Sequence, residues 1–212
     1  MRLIGMLDSP YVRRVAISLE MLGIPFHHEA VSVFSTFVKF HGINPVVKAP
    51  TLVCDDGEVL MDSSLILQFV ETVNGKSLWS RSAPELQHEF RAVSLALAAC
   101  EKSVQMIYER NLRPASAQYP PWLERVGGQL LAAYAGLERE VQARRAEFSA
   151  ARNQASVTAA VAWQFTQSML AAVVPAGSHP GLAALSERME RLPEFRKYPP
   201  AGPGVAAPQM AR

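Results

Sequence analysis

The feature that most constrains the fold of this chain is a change of hydrophobic pattern near residues 74–83. Before that point, short runs of β-forming residues alternate with stretches of helical periodicity. After it, the apolar residues follow helical spacing throughout. The segment between, NGKSLWSRSA, has the composition of a linker. We therefore expect a small α/β domain followed by an all-helical domain.

Residues 1–76 predict the element order β-α-β followed by β-β-α. The first strand is RLIGM, and the helix after it begins at a Ser9 cap and ends at Gly23. A second strand is predicted in FHHEAVSV and a short helix in STFVKFHGIN. The sequence Asp56-Gly57 indicates a hairpin between two further strands. The last helix of this domain is DSSLILQFVETV.

Residues 84–198 predict four helices. The first begins at Pro84, and the second runs from Trp122 to Phe148 and carries Gly127 and Gly128. The third, SVTAAVAWQFTQSMLAAVV, is apolar enough to be buried on every side. The fourth is PGLAALSERMERL. Residues 199–212 are rich in Pro, Gly and Ala and are expected to form a flexible tail.

Composition excludes several classes of function. A formal net charge of +2 without a dense Lys or Arg run disfavours nucleic-acid binding. No stretch approaches the ~20 apolar residues of a membrane span, and the first residues are too short for a signal peptide. Two cysteines, Cys54 and Cys100, do not form a disulfide framework, and the histidines lack metal-ligand spacing. We expect a cytoplasmic protein without a metal or prosthetic group, whose two cysteines are small core residues.

Ser9 stands where a strand passes into a helix. Ser before Pro is a preferred helix start, so Ser9 has a purely structural interpretation. The same position is also one where α/β folds bind ligands, because unpaired N–H groups at a helix N-terminus favour an anion.

Two further segments carry the same ambiguity. In NPVVKAPTL, Pro50 either marks a strand boundary or holds the backbone of Ala49 open for an extended ligand, and the isomer of their bond stays open. Lys48 is either solvated or a carboxylate partner. In LMDSSLI, Asp62, Ser63 or Ser64 caps a helix, and Asp62 offers a partner for an amine.

Three segments, SPYVRRVAISLEMLGIPF, NPVVKAPTLV and DSSLILQFVE, resemble the glutathione transferases in order and spacing, closest to serine-type bacterial and tau-like members. The resemblance covers nearly the whole chain. It implies a thioredoxin-like N-terminal domain, a helical C-terminal domain, and glutathione as co-substrate. The implied glutathione-binding residues are Ser9 at the sulfur, Ala49 before a cis Pro50 at the cysteinyl backbone, Lys48 at the glycyl carboxylate, and Asp62 and Ser63 at the γ-glutamyl end.

The resemblance implies an enzyme that activates the glutathione thiol against small hydrophobic electrophiles or peroxides. Alternatives of the same fold are a non-catalytic glutathione-binding protein and a glutathione-dependent isomerase. A dithiol role is disfavoured, because Ser9-Pro10-Tyr11-Val12 stands where glutaredoxins carry Cys-Pro-Tyr-Cys. We expect a homodimer, from the resemblance and from the apolar face of the helix that runs from Pro84 to Arg110. The expected pocket for the second substrate is lined by Met6, Leu7, Tyr11, Met106, Tyr108, Arg110 and Trp122.

One departure from the family pattern concerns the third C-terminal helix. That helix usually opens with a capping box ending in Asp, whereas here Asn153 is the expected N-cap and Ser156 takes the place of the Asp. Asn caps well and Ser is able to reach back to the cap, so we expect a weaker folding signal but the same fold.

Overall fold

A computed structural model of the chain describes residues 1–150 and 152–205. The chain divides into two compact units. The first contains residues 1–77 and the segment that begins at Pro193, and the second contains residues 78–192. Among the described residues, no helix is both long enough and apolar enough to cross a membrane.

Within the described residues, the first unit is built on a four-stranded sheet with the order β2-β1-β3-β4. β1 runs parallel to β2 and antiparallel to β3, and β3 and β4 form a hairpin. The hairpin turn holds Gly57 at a φ of 92°, which favours glycine. The strands are β1 Arg2–Ile4, β2 His27–Glu29, β3 Thr51–Val53 and β4 Val59–Met61.

The helices of this unit pack in two groups. α1 (Pro10–Leu22) and α3 (Ser63–Asn74) contact each other, whereas α2 (Phe37–Ile43) places Phe40 in a separate core cluster. The other buried members of that cluster are Ile4, Val31 and Val53. The α/β fold predicted for this part of the chain is confirmed, and so is the helix that starts at Ser9 and ends at Gly23.

The second unit is helical. α7 packs against α4 and α8, and most of its residues are buried, as its apolar sequence predicts. The Tyr134 hydroxyl of α5 donates to Thr166 Oγ1 of α7 at 2.7 Å, so this buried polar group is satisfied. The helices are α4 Ala83–Leu112, α5 Pro120–Ala143, α6 Arg145–Ala150, α7 Gln154–Leu170 and α8 Pro180–Glu190.

Two helix predictions are corrected by the structure. The segment from Trp122 to Phe148, predicted as one helix, is divided at Arg144, whose ψ of 39° lies outside the helical range. The capping box expected at α7 is also incomplete. Asn153 Oδ1 accepts from the Ser156 N–H at 2.9 Å, but within the described residues Ser156 Oγ is buried and has no hydrogen-bond partner. The serine therefore does not reach back to the cap.

The end of the described chain packs differently from its prediction. Residues 193–198, predicted to belong to the helical domain, fall in the first unit. Phe195 of α9 (Pro193–Lys197) is fully buried there, and the Arg13 guanidinium lies over its ring at 5.4 Å. Of the predicted flexible tail, residues 199–205 are described, and residues 206–212 lie outside the described residues.

Candidate functional site

Strand register brings the three polar segments to one end of the sheet. Ile4, the last residue of β1, pairs with Thr51, and Thr51 pairs with Met61, the last residue of β4. Thr51 is itself the first residue of β3. The turn into α1, the approach to β3 and the turn into α3 therefore leave the sheet at the same end.

Gly5 allows two of these segments to approach closely. Its φ is 144°, and a Cβ at this position would lie 2.5 Å from Val12 Cγ2 and 3.3 Å from Ala49 Cβ. Any side chain here would therefore push α1 away from the Ala49 segment. The sequence analysis did not assign a role to Gly5, because nothing in the local sequence shows which segments will pack against it.

Ser9 is the N-cap of α1, and Pro10 occupies the first helical position. Ser9 Oγ accepts a hydrogen bond from the Val12 N–H at 3.5 Å, which is long for a capping bond. Within the described part of the chain, Ser9 Oγ donates no hydrogen bond. The hydroxyl proton is therefore available to a ligand at the start of α1.

The approach to β3 is held by a buried asparagine. Asn44 donates from Nδ2 to Thr51 Oγ1 at 2.8 Å, and its Oδ1 accepts from the Val46 N–H at 3.0 Å. Thr51 Oγ1 in turn donates to the Lys48 carbonyl at 2.7 Å. The Ala49–Pro50 bond, left open by the sequence, is cis. Asn44 thus fixes the backbone beside Ala49, a role that its sequence position does not reveal.

Asp62 is the N-cap of α3 and has a φ of 74°, which is unusual for a residue other than glycine. Burial raises the pKa of this carboxyl, but the N–H groups of Ser64 and Leu65 and the charge of Lys48 outweigh burial and leave the pKa below its usual value. Lys48 Nζ lies 3.5 Å from Asp62 Oδ2, and both side chains are about half exposed. A ligand would therefore open this ion pair at small cost.

A buried arginine lies behind the start of α3. Arg14 Nη1 donates to Ser63 Oγ and Ser64 Oγ, each at 3.1 Å, and Arg14 is 2% exposed. Its guanidinium ties α1 to the first turn of α3 and adds positive charge to a helix N-terminus that already favours anions. Sequence reasoning missed Arg14, since an arginine within a helix is usually solvated.

The comparisons with known proteins agree with this geometry. Residues 3–77 match the family model described as glutathione S-transferase, N-terminal domain. The crystal structure of a glutathione S-transferase from Methylobacterium radiotolerans, in complex with glutathione sulfonate, is 25% identical with a TM-score of 0.87 over 97% of each chain. Residues 3–77 therefore match a glutathione S-transferase N-terminal domain, and the whole chain has the glutathione S-transferase fold.

Two further relatives show how far the similarity extends. A glutathione transferase family member from Pseudomonas fluorescens with bound glutathione is 25% identical, with a TM-score of 0.81 over 95% of this chain and 99% of that one. The uncharacterized GST-like protein YibF of Escherichia coli is 34% identical over 74 residues, or 35% of this chain and 37% of its own length. The matched part of the chain thus spans about a third of the length of the curated relatives.

The residues predicted to line a pocket for the second substrate are distributed over both units. In the first unit, Leu7 is buried, and Met6 and Tyr11 are half-buried. In the second unit, the predicted residues Tyr108, Arg110 and Trp122 are exposed.

Met106 was also predicted to line that pocket, but its surroundings conflict with this role. It is 2% exposed, and its Cε would lie 3.3 Å from a Cβ at Gly127. Met106 therefore belongs to the core between α4 and α5.

Neither Cys54 nor Cys100 forms a disulfide within the described residues. Cys54 was expected in a core strand, but it follows β3 in the hairpin, where it is half-buried and its N–H donates to the Glu58 carbonyl at 2.8 Å. Burial and the carboxylates of Asp56 and Asp55 raise the pKa of this thiol, so it is not activated as a nucleophile. Among the described residues, no group of three or more His, Cys, Asp or Glu side chains is arranged to hold a metal ion.

Proposed function

We propose that this protein is a glutathione transferase that activates the thiol of glutathione for attack on small electrophilic molecules, with Ser9 as the catalytic residue. The observation that carries the proposal is the Ser9 hydroxyl, which caps α1 loosely and donates no hydrogen bond within the described residues. Ser9 Oγ–H would donate to the glutathione sulfur and favour its thiolate. A free thiol has a pKa of about 8.5, and a depression of one to two units ionises much of it near neutral pH.

In the proposed reaction, glutathione is the nucleophile and serine is not. The thiol proton leaves to solvent, and the thiolate electron pair forms a bond to an electrophilic carbon. At an aromatic halide, the carbon–halogen bond then breaks and the halide leaves with its electron pair. At an activated double bond, the pair displaced onto the neighbouring carbon takes up a proton from solvent.

The remaining groups of glutathione have proposed partners at the same end of the sheet. Ala49 would pair with the cysteinyl backbone, because Asn44 and Thr51 hold its segment in place. Lys48 would bind the glycyl carboxylate after releasing Asp62. Ser63 begins α3, so its N–H has no acceptor within the helix, and Arg14 lies behind it. These groups would hold the charged γ-glutamyl end, with Asp62 facing its amine.

The test combines calorimetry of glutathione binding with a conjugation assay on 1-chloro-2,4-dinitrobenzene. We expect the parent protein to bind glutathione and to conjugate it. The Ser9→Ala variant should bind glutathione with similar affinity and should lose about 100-fold in kcat/KM, the usual size for one donor at a developing charge. Binding without turnover in the parent would favour the alternative, a non-catalytic glutathione-binding protein, and no binding would overturn the glutathione site.

We also propose a cytoplasmic homodimer. The apolar face of α4 that suggested a dimer is used within the second unit, where α4 packs on α5 and α7. A different surface supports the proposal: α3 exposes Leu65, Phe69 and Val73 at intervals of four residues. Sedimentation at micromolar concentration should give a dimer, and Leu65→Glu with Val73→Glu should give a monomer. A parent protein that sediments as a monomer would contradict the proposal.

A further inference from the structure

The last described residues form a strap over the start of α1, and we call residues 198–204 the C-terminal strap. The Asp8 N–H donates to the Ala201 carbonyl at 3.1 Å. The Gly204 N–H donates to Asp8 Oδ2 at 2.8 Å. Both bonds end on Asp8, which directly precedes Ser9, so the strap holds that residue through its backbone and its side chain.

The strap is anchored on α1 by contacts that do not involve Asp8. Arg13 is 1% exposed and donates from Nε to the Tyr198 carbonyl at 2.8 Å. The Tyr198 ring stacks on Phe26 with centroids 5.5 Å apart, and its hydroxyl donates to Glu20 Oε2 at 3.1 Å. Because hydrogen bonds and a ring contact fix Tyr198, the strap leaves α1 from a defined point.

The strap packs closely against the Asp8 side chain at Gly202. A Cβ built at Gly202 would overlap the carboxylate of Asp8. By contrast, a Cβ at Gly42 on α2 meets nothing within 4 Å. Gly202→Ala therefore separates the strap backbone from the Asp8 carboxylate while keeping Asp8 in the sequence, and Gly42→Ala is its matched control.

We propose that the C-terminal strap positions Ser9 for activation of the glutathione thiol, with Asp8 as the positioning residue; this inference rests on the proposed function. The capping bond of Ser9 is 3.5 Å long and leaves the hydroxyl poorly fixed, so its direction depends on the backbone. That backbone is held at two consecutive residues. The Ser9 N–H donates to the Met6 carbonyl at 3.2 Å inside the turn, and Asp8 is held by the strap from outside it.

The experiment measures kcat, the KM for glutathione, and the ultraviolet absorbance of the bound glutathione thiolate. The variants are Asp8→Ala, Asp8→Asn and Gly202→Ala, with Gly42→Ala as control and Ser9→Ala as reference. We expect Asp8→Ala and Gly202→Ala to lower kcat and thiolate absorbance about tenfold, because a donor displaced by a fraction of an ångström loses much of its effect. The KM should stay within about twofold, since other residues hold the rest of glutathione.

Asp8→Asn keeps an oxygen that accepts from the Gly204 N–H. It should therefore restore kcat to within about threefold of the parent, and Gly42→Ala should match the parent. Circular dichroism reports the folded fraction, and rates are compared per folded protein. If Asp8→Ala and Gly202→Ala keep the parent kcat while Ser9→Ala loses it, the strap is only structural and the inference is overturned. If the parent itself neither binds nor converts glutathione, the proposed function has failed instead.

Discussion

The starts of α1 and α7 use the same cap chemistry under different constraints. At each, a side-chain oxygen of the N-cap residue accepts from the N–H three residues later. The distance from the oxygen to the Val12 nitrogen is 3.5 Å for Ser9, whereas the distance to the Ser156 nitrogen is 2.9 Å for Asn153. The cap of α7 is therefore the stronger of the two.

Their surroundings explain the difference. Asn153 also donates from Nδ2 to Glu89 Oε1 at 2.6 Å, and the Gln154 N–H after it donates to the Leu78 carbonyl at 3.0 Å. Both ends of the Asn153 amide are thus committed within the second unit. Ser9 is half-buried and keeps a hydroxyl proton that no described protein atom accepts. At α7 the cap side chain therefore makes all its hydrogen bonds within the fold. At α1, where we propose catalysis, the cap side chain keeps a hydrogen-bond donor for a ligand.

The largest effect that separates the two caps should come from Ser9→Cys. The change is nearly isosteric, and loss of a serine cap costs about 1 kcal/mol, so the fold should survive. The new thiol lies at a helix N-terminus, where its pKa falls. A thiolate there repels a neighbouring glutathione thiolate, so conjugation should drop about 100-fold. With oxidised glutathione, the cysteine thiolate should attack one sulfur, form a mixed disulfide and release glutathione thiolate.

Mass spectrometry reports the glutathione adduct on Cys at position 9, and the conjugation assay reports the loss of activity. Asn153→Cys is the matched control: it places a thiol at the half-buried cap of α7, beside the Glu89 carboxylate and outside the proposed glutathione site, and should take up no adduct in the folded protein. A Ser9→Cys variant that conjugates as well as the parent and gains no adduct would show that Ser9 is only a helix cap.

The next largest effect is expected at the start of α3, in the first unit. Asp62→Asn and Ser63→Ala should each raise the KM for glutathione about tenfold, or ~1.4 kcal/mol, with little change in kcat, because they bind ground state and transition state alike. The pKa of Asp62 lies below its usual value, so its charge is complete above about pH 5. The Asp62→Asn effect should therefore be constant from about pH 6 to 8.

Steady-state kinetics over that pH range checks this prediction. Asp56→Asn is the control, since Asp56 accepts from the Glu58 N–H in the hairpin, away from the site. An unchanged KM in both site variants would contradict the assigned γ-glutamyl site.

Local signals predicted much of the first unit. The order of strands and helices, the Ser9 cap and the Gly23 end are written in a few neighbouring residues, since a cap or a tight turn depends on local sequence. The contacts that complete the site were not predicted. Arg14 meets Ser63 across 49 residues, and Gly204 meets Asp8 across 196, and neither pairing has a local pattern.

Helical periodicity has a related limit in the second unit. It shows that one face of α4 is buried, but it does not show what buries that face. Met106, for example, was expected to line a pocket, but it packs against α5. Ser9 and Asp62 were better guides to local structure, because each caps a helix at a position that the sequence indicates.

A smaller effect is expected for Asn153→Ala, which removes the tight cap. It should lower the free energy of unfolding by about 1–2 kcal/mol, since the helix loses its cap and Glu89 loses the Asn153 amide. Urea unfolding followed by circular dichroism measures the loss. The kcat of the folded protein should match the parent. A variant as stable as the parent, or one that loses activity while folded, would remove the contrast between the two caps.

The smallest effect should come from completing the α7 cap. Ser156 is fully buried, and its Oγ has no hydrogen-bond partner within the described residues. An aspartate in its place would be able to accept from the Asn153 N–H, as the second half of a capping box does, and its charge would face the positive end of α7. Desolvation of the new carboxylate and repulsion from Glu89 oppose this gain.

The gain should exceed these costs, because the N–H groups of a helix N-terminus solvate a carboxylate directly. We expect Ser156→Asp to raise the free energy of unfolding by about 0.5 kcal/mol at neutral pH. Ser156→Asn has nearly the same shape without the charge and should gain less. The Asp variant should lose its advantage as the pH falls below about 4, because a carboxylate stabilised in the fold is protonated there. Urea unfolding of both variants at two pH values checks the sign, and an Asp variant less stable than the Asn variant at neutral pH would show that burial outweighs the cap.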